Sequence, residues 1–214
     1  MYLSRLILNP HSRRAQRELA NPYELHRTLM RAFPEKLPDG ERVLFRVDVD
    51  ERSGVSTVLL QSTLEPGWDW LAENGARGYL LRAPDSKSFD LTFAPGQTLA
   101  FRLRANPTAK HHRPDADGKD HATRDPLYRE EDQRAWLERK GEQGSFRVLR
   151  VNMTREGDTI AWKGRRQDKL TLFAVRFDGL LQVADPAKLW EAVRQGIGPG
   201  KGLGFGLLSL ARGG

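Results

Sequence analysis

The chain has 214 residues, which is enough for one large domain or two small ones. Its 35 Lys and Arg residues exceed its 28 Asp and Glu residues and give a formal net charge of +7. This charge favours a polyanionic partner such as nucleic acid or an anionic membrane surface. A protein that is basic but has no such partner could have the same composition. The chain contains no Cys, which excludes disulfides, thiolate nucleophiles and cysteine-based zinc sites. It also contains no apolar run that could span a membrane, so we predict a cytoplasmic protein.

The first predicted elements are a strand and a helix. Residues 3–8 form a short apolar run that ends at a turn signal, as strands do. A basic stretch that contains Arg13 follows, with no predicted element. Asn21 is a typical N-cap and Pro22 a typical first helical residue, and apolar residues recur at helical spacing as far as residue 33.

Four further elements complete the order βαββαβ in the first part of the chain. They are strands at 42–49 and 55–61, a short helix at 68–74 and a last strand at 78–82. The polar segment 83–96 contains two prolines, which predicts a domain boundary. We therefore divide the chain into domains 1–93 and 94–214.

The same order is predicted again in the second part. Residues 98–104 alternate, with apolar residues on one face and Arg102 and Arg104 on the other. The remaining elements are a helix at 130–140, strands at 146–153 and 170–177, a helix at 186–195 and a strand at 205–210. Two βαββαβ units predict an α+β fold of tandem ferredoxin-like (RRM-like) domains.

Two hydrophilic segments fall outside this scheme. Residues 106–132 are rich in Pro and Asp, and we predict a long, mobile connection there. Residues 154–169 predict a hairpin arm, which is either a solvated edge hairpin protected by its charge or a contact to an RNA groove. The second interpretation is favoured because the seven residues 163–169 contain a single acid, Asp168, and four cations: Lys163, Arg165, Arg166 and Lys169.

His26 is the candidate catalytic residue, in the second turn of the helix that Pro22 opens. Tyr23, Arg27 and Arg31 lie on neighbouring faces of the same helix, whose free N–H groups attract phosphate. RNA transesterification needs a base, an acid and a cation beside the phosphorus, and these side chains can supply all three without a metal. Most helical histidines have no catalytic duty, and spacing alone leaves that interpretation open.

Three further histidines, with aspartates between them, could resemble a metal site: His111, His112 and His121. The surrounding Gly, Pro and Asp residues offer no rigid frame, and the spacing matches no helical ligand pair. We therefore predict a flexible loop, with no metal and no other cofactor. Paired carboxylates of the kind that two-metal nucleases use are not evident on any predicted core strand.

Residues 196–206 are dense in glycine and have the sequence GIGPGKGLGFG. Backbone at such glycines can approach a polyanion closely, and Lys201, between Gly200 and Gly202, supplies a charge, which predicts an RNA-binding loop. The spacing matches neither a P-loop nor a dinucleotide-binding fingerprint. A turn-rich connector is the plainer interpretation.

Several segments together carry a family resemblance that covers nearly the whole chain. They are MYLSRLILNP, ELANPYELHRTL, LAFRLRANP, WLERK followed by GSFRV, and GIGPGKGLGFGLLSL. In this order and at these separations, they resemble the CRISPR-associated repeat-processing endoribonucleases of the CasE (also called Cse3) type, from type I-E systems.

The resemblance implies tandem ferredoxin-like domains that bind the hairpin of a CRISPR repeat transcript. It implies one metal-independent cut at the 3′ base of the hairpin, leaving a 2′,3′-cyclic phosphate and a 5′-hydroxyl, with the product retained in the Cascade complex. The family's catalytic histidine falls on His26 and its tyrosine on Tyr23. A basic residue one turn further on falls on Arg31, a place that is Lys in some relatives. The groove-binding hairpin and the glycine loop fall on residues 163–169 and 196–206.

The expected partners are therefore CRISPR repeat RNA and Cascade subunits, with no membrane, and the free protein is expected to be a monomer. The predicted RNA-binding residues are Arg13, Arg27, Arg102, Arg104, Lys163, Arg165, Arg166, Lys169, Lys201, Gly200 and Gly202. Two other functions remain open. One is a non-catalytic RNA-binding subunit in which His26 only packs, and the other is a basic scaffold whose partner is a protein.

Overall fold

The computed structural model of the chain describes residues 1–73, 78–114, 120–164 and 168–213. The first seven elements are β1 Tyr2–Ile7, α1 Arg13–Ala20, α2 Pro22–Met30, β2 Val43–Val49, β3 Ser56–Ser62, α3 Asp69–Glu73 and β4 Asp85–Ser88. The next are β5 Thr98–Ala105, β6 Thr108–Pro114, β7 Asp120–Pro126, α4 Glu130–Gln143, β8 Phe146–Lys163, β9 Asp168–Val183, α5 Pro186–Gln195 and β10 Leu208–Arg212. A short 3-10 helix spans Lys201–Leu203.

Two four-stranded antiparallel sheets confirm the tandem ferredoxin-like prediction. Their strand orders are β2-β3-β1-β4 and β10-β5-β9-β8. In each sheet the first and third strands of a βαββαβ unit lie in the centre, and the second and fourth lie at the edges. The exact division of the chain at residues 93 and 94 stays a prediction.

Each sheet contributes to its own hydrophobic core. Leu6, Leu29 and Phe45 belong to the core of the first unit, and Trp136 stacks on Phe177 in the core of the second, with ring centroids 6.1 Å apart. The units are also joined by polar bonds. Gln61 Nε2 donates to the carbonyl of Val193 at 2.8 Å, and Arg46 Nη1 donates to Ser209 Oγ at 2.8 Å. Because Gln61 and Arg46 are buried, these bonds satisfy polar groups that burial would otherwise penalise.

The predicted strand at 78–82 is wrong. Only one bridge forms there, between Leu8 and Leu80, and the fourth strand of the sheet is β4, within the segment predicted as a boundary. Every β4 side chain is exposed, so the strand needs no apolar pattern. Its pairing with β1 is supported instead by polar contacts, including Arg5 Nη2 to Asp85 Oδ2 at 2.8 Å.

Helix α1 was not predicted, because its sequence is polar on all but one narrow face. Ser12 Oγ caps the helix by accepting from the N–H of Ala15 at 3.3 Å. The buried carboxylate of Glu18 accepts hydrogen bonds from Thr28 Oγ1 and from Tyr79. Burial and this carboxylate raise the pKa of Tyr79. A polar network therefore helps to hold α1 against α2, where the apolar face of α1 is too narrow to predict a helix.

The prediction of a mobile connection at 106–132 is also wrong for the described residues. Strands β6 and β7 pair in antiparallel register from Thr108 and Pro126 to Pro114 and Asp120. The backbone ladder satisfies their polar groups, so hydrophilic side chains are compatible with strands at the surface. Residues 115–119 lie outside the described part.

The predicted hairpin arm at 154–169 coincides with the outer part of two long paired strands, β8 and β9, and residues 165–167 at its tip lie outside the described part. The register of the two strands breaks between Val148 and Arg150 and again between Arg155 and Gly157. No helix in the described residues combines the length and the apolar character that crossing a membrane requires.

Candidate active site

The start of α2 is tied to the hairpin arm. Asn21 occupies the N-cap position as predicted, but its side chain makes no capping bond. Its amide instead forms two hydrogen bonds with the backbone of Trp162: Nδ2 donates to the carbonyl at 3.2 Å, and Oδ1 accepts from the N–H at 3.0 Å. The arm is thereby fixed to the helix that carries His26. Sequence patterns gave no signal for this contact, because the two residues are far apart in the chain.

His26 lies between the first unit and the glycine loop. A Cβ placed on Gly202 would lie 3.6 Å from both Cε1 and Nε2 of His26, so the loop backbone approaches the imidazole directly. On another side, the Phe45 ring stacks on the imidazole, with ring centroids 6.3 Å apart and an interplanar angle of 15°. The Nδ1 atom is buried and has no hydrogen-bond partner among the described residues. Burial lowers the pKa of His26, which favours the neutral imidazole at pH 7.

We expect an NMR titration of the His26 ring to have its midpoint below the ordinary value of 6.5. Between that lowered pKa and 6.5 the unfolded chain binds more protons than the folded one, so the free energy of unfolding rises with pH in this window. As the pH falls through 6.5, the free energy of unfolding of His26→Gln should therefore rise relative to that of the parent. Urea unfolding of both proteins at several pH values measures this difference. A midpoint above 7 would contradict the effect of burial.

The other residues proposed for catalysis have different surroundings. Tyr23 is half-buried in the first turn of α2, and in the part of the chain that the structure describes its hydroxyl makes no hydrogen bond. The exposed guanidinium of Arg27 pairs with Glu24 at 3.2 Å. Arg31 lies 4.0 Å above the ring of Trp70, a cation–π contact. The helix thus presents Tyr23 and His26 together, whereas Arg31 is held by an aromatic ring.

The predicted RNA-binding arginines of β5 are engaged by acids. Arg102 forms an ion pair with Asp178, which raises the pKa of Arg102. Arg104 Nε donates to Glu156 at 2.6 Å, and its guanidinium lies 4.3 Å from the ring of Phe205. A phosphate would have to compete with these carboxylates, so RNA binding by either residue stays a prediction.

Five other predicted cations differ in how far the structure describes them. Arg13 is exposed on α1, and Lys163 and Lys169 are exposed on the arm near its tip. Arg165 and Arg166 lie outside the described residues. The exposed side chains on α1 and on the arm are free to meet a polyanion without first breaking a buried contact.

The glycine loop folds into a compact structure. The N–H of Ile197 donates to the carbonyl of Gly206 at 2.8 Å and closes the loop. Gly200 and Gly204 have left-handed backbone on either side of the 3-10 turn that carries Lys201. Burial, followed by the neighbouring cations Arg42 and Lys140, lowers the pKa of Lys201. The fold therefore holds Gly202 against His26 and carries Lys201 in the same 3-10 turn.

Among the described residues, no group of three or more His, Cys, Asp and Glu side chains is placed to hold a metal ion. His111 lies 3.7 Å from Asp125. The side chains of His112 and His121 lie outside the described part, so the predicted lack of a metal site in this segment stays a prediction.

Comparison with known proteins identifies the family. The matching family model, described as CRISPR associated protein, spans residues 1–212. The chain is 41% identical over 228 residues to the CRISPR-associated endoribonuclease Cse3 of Thermus thermophilus, across 99% of this chain and 100% of the relative. It is 35% identical over 216 residues to the CRISPR system Cascade subunit CasE of Escherichia coli, across 99% of each chain.

A solved structure of the CRISPR endoribonuclease Cse3 bound to a 19-nucleotide RNA has the same fold. Its TM-score is 0.81 at 40% sequence identity, and the match covers 99% of this chain and 100% of that chain. Since the family model and both relatives extend over nearly the whole sequence, the chain belongs to the CRISPR-associated protein family, as a CasE (Cse3) member of type I-E systems.

Proposed function

We propose that the chain is a metal-independent endoribonuclease that binds the hairpin of CRISPR repeat transcripts and cuts at its 3′ base. The cut leaves a 2′,3′-cyclic phosphate on one product and a 5′-hydroxyl on the other. The observation that carries the proposal is the placement of the half-buried His26 against the backbone of Gly202, on a helix bonded to the basic arm, where burial lowers the pKa of the imidazole.

The chemistry is an internal transesterification. The 2′-oxygen attacks the adjacent phosphorus while a base removes its proton, and the bond to the 5′-oxygen breaks as an acid protonates that oxygen. His26 and Tyr23 are the candidates for these two proton transfers. Lys201 and the positive end of the α2 helix dipole stabilise the extra negative charge on the phosphate, and Arg31 belongs to the proposed site if RNA binding releases it from Trp70.

The pH dependence of kcat/KM assigns the role of His26. If His26 is the base, the rate falls as the pH drops through its lowered pKa, because the protonated imidazole accepts no proton. If it is the acid, the rate falls as the pH rises through the same value.

The basic arm is the proposed contact to the RNA stem. A-form RNA has a deep, narrow major groove that few protein elements enter, and a thin hairpin with exposed cations is suited to it. Lys163 and Lys169 are exposed near the tip of the arm, and Arg165 and Arg166 follow in the sequence. Arg13 on α1 adds a cation on the first unit.

The cut RNA is proposed to stay bound, with the protein serving as a subunit of Cascade in the cytoplasm. The Escherichia coli relative is named as a Cascade subunit, and the Cse3 structure contains RNA. A protein that keeps its product after one turnover fits this role, since the bound RNA then connects it to the other subunits.

Incubation of a 5′-labelled repeat transcript with the protein in EDTA tests the activity. We expect one product, whose 3′ end is a cyclic phosphate that resists phosphatase until acid opens it, and a second product that polynucleotide kinase labels directly. A hairpin of equal length and unrelated sequence is the control. Cleavage that stops in EDTA and returns with Mg²⁺ would contradict metal independence.

The alternative is a non-catalytic subunit that binds structured RNA. The unpartnered Nδ1 of His26 favours it, because a catalytic imidazole is commonly oriented by a bond at its second nitrogen. Tight binding of the repeat hairpin without any cut would establish this function.

A further inference from the structure

A strongly basic cleft of about 850 Å³ borders the glycine loop. The first part of the loop lines it, from Gly196 to Pro199, together with the ends of α4 and α5 and the β6–β7 hairpin. Six cationic side chains line this basic cleft: Lys110, Arg124, Arg139, Lys140, Lys188 and Lys201. Five of them were not selected by the sequence patterns, because they lie on four separate elements.

The basic cleft lacks compensating negative charge. Its one acidic residue, Glu191, already accepts two hydrogen bonds from Arg194. In the described part of the chain, none of the six cations forms an ion pair. Burial and then the neighbouring Arg139 and Arg124 lower the pKa of Lys140, so the charges around it are of its own sign. Such a concentration of unpaired cations attracts a polyanion.

The basic cleft reaches the loop next to the candidate active site. Lys201 lines the cleft, and the following residue, Gly202, packs against His26. Successive Cα atoms lie about 3.8 Å apart, so a strand whose scissile phosphate is at His26 has its following phosphates within reach of Lys201. The arm is bonded to the start of α2 at Asn21, and none of its described residues lines the basic cleft.

The size of the basic cleft suits a single strand of RNA. Its volume is that of a pocket for a small ligand, which is enough for about two nucleotides, whereas an A-form duplex is much wider than such a pocket. Trp136 and Ile197 form part of its lining and give it a rigid floor, since both are buried.

We propose that the basic cleft binds the single-stranded RNA that follows the cut on its 3′ side, through the phosphates of that strand. This inference rests on the proposed function. It adds a second contact between the protein and its substrate, made by the 3′ flank and not by the stem. The cut severs the 3′ flank from the stem, so the flank then leaves while the arm retains the stem.

The test uses repeat hairpins with a 2′-deoxy nucleotide at the cut, which bind but are not cleaved. One RNA ends one nucleotide after the cut, a second has eight further 3′ nucleotides, and a third has them on the 5′ side. We expect the parent to bind the 3′-flanked RNA about tenfold more tightly than the short one. Lys140→Gln with Lys188→Gln should abolish that gain, reduce the salt dependence of binding, and leave affinity for the short RNA unchanged.

The control variant carries Lys36→Gln with Arg52→Gln, which removes the same charge from exposed sites outside the cleft. Equal loss of affinity in both double variants would mean that net charge alone matters and would overturn the proposal. So would an unchanged gain from the 3′ flank, or a gain that follows the 5′ flank instead. Failure of the parent to bind the short hairpin would instead reject the proposed function.

Discussion

His26→Ala is expected to lower the single-turnover rate of repeat cleavage by about 10³-fold, the range that general acid–base catalysis supplies. The affinity for the uncut hairpin should change by less than about twofold, because the imidazole is one half-buried ring among many cationic contacts. The fold should also tolerate the change. The ring loses its packing on Phe45, but the variant also removes the buried, unpartnered Nδ1.

His11→Ala is the matched control. It removes the same side chain from an exposed position outside the helices. Single-turnover cleavage and equilibrium binding of each variant separate chemistry from affinity. Added imidazole should restore part of the rate in His26→Ala, because removal of the ring leaves space beside Gly202. A His26→Ala protein that cuts as fast as the parent would show that another group performs the proton transfer.

The sequence predicted those elements whose apolar side chains repeat with a clear period. Strands β2 and β3 and helix α5 follow such patterns, and α5 also has Asp185 as a cap that accepts from two N–H groups. Strand β4 and helix α1 have no such signal, because polar contacts with distant residues hold them. Fold elements held by polar partners become evident only when the partners are brought together in space.

The candidate site was predictable in part for the same reason. Local spacing on one helix was enough to select His26 and Tyr23, and glycine density was enough to select the loop. The contact of His26 with Gly202 and the bonds of Asn21 to the arm join segments far apart in the chain. Likewise, the basic cleft is assembled from separate elements, each of which contributes only one or two of its cations.

Gly196→Ala is expected to reduce the free energy of unfolding by about 2–4 kcal/mol and the cleavage rate as well. Gly196 has φ 73° and ψ 159°, a conformation that is essentially restricted to glycine. Its Cβ would lie 2.8 Å from Leu44 Cδ1 and 3.0 Å from the carbonyl oxygen of Gly206. Leu44 is fully buried, so it has no free space to move into, and the strain and the clash add together.

Gly40→Ala separates these two contributions. Gly40 also has positive φ, at 81°, but nothing lies within 4 Å of its Cβ position, so this variant has only the backbone strain. Urea unfolding should therefore show a smaller loss for Gly40→Ala, and its cleavage rate should match that of the parent. Because the clash at Gly196 displaces the loop that holds Gly202 against His26, cleavage should fall even below the unfolding temperature. Equal losses in both variants would mean that the close packing of the loop does not position the site.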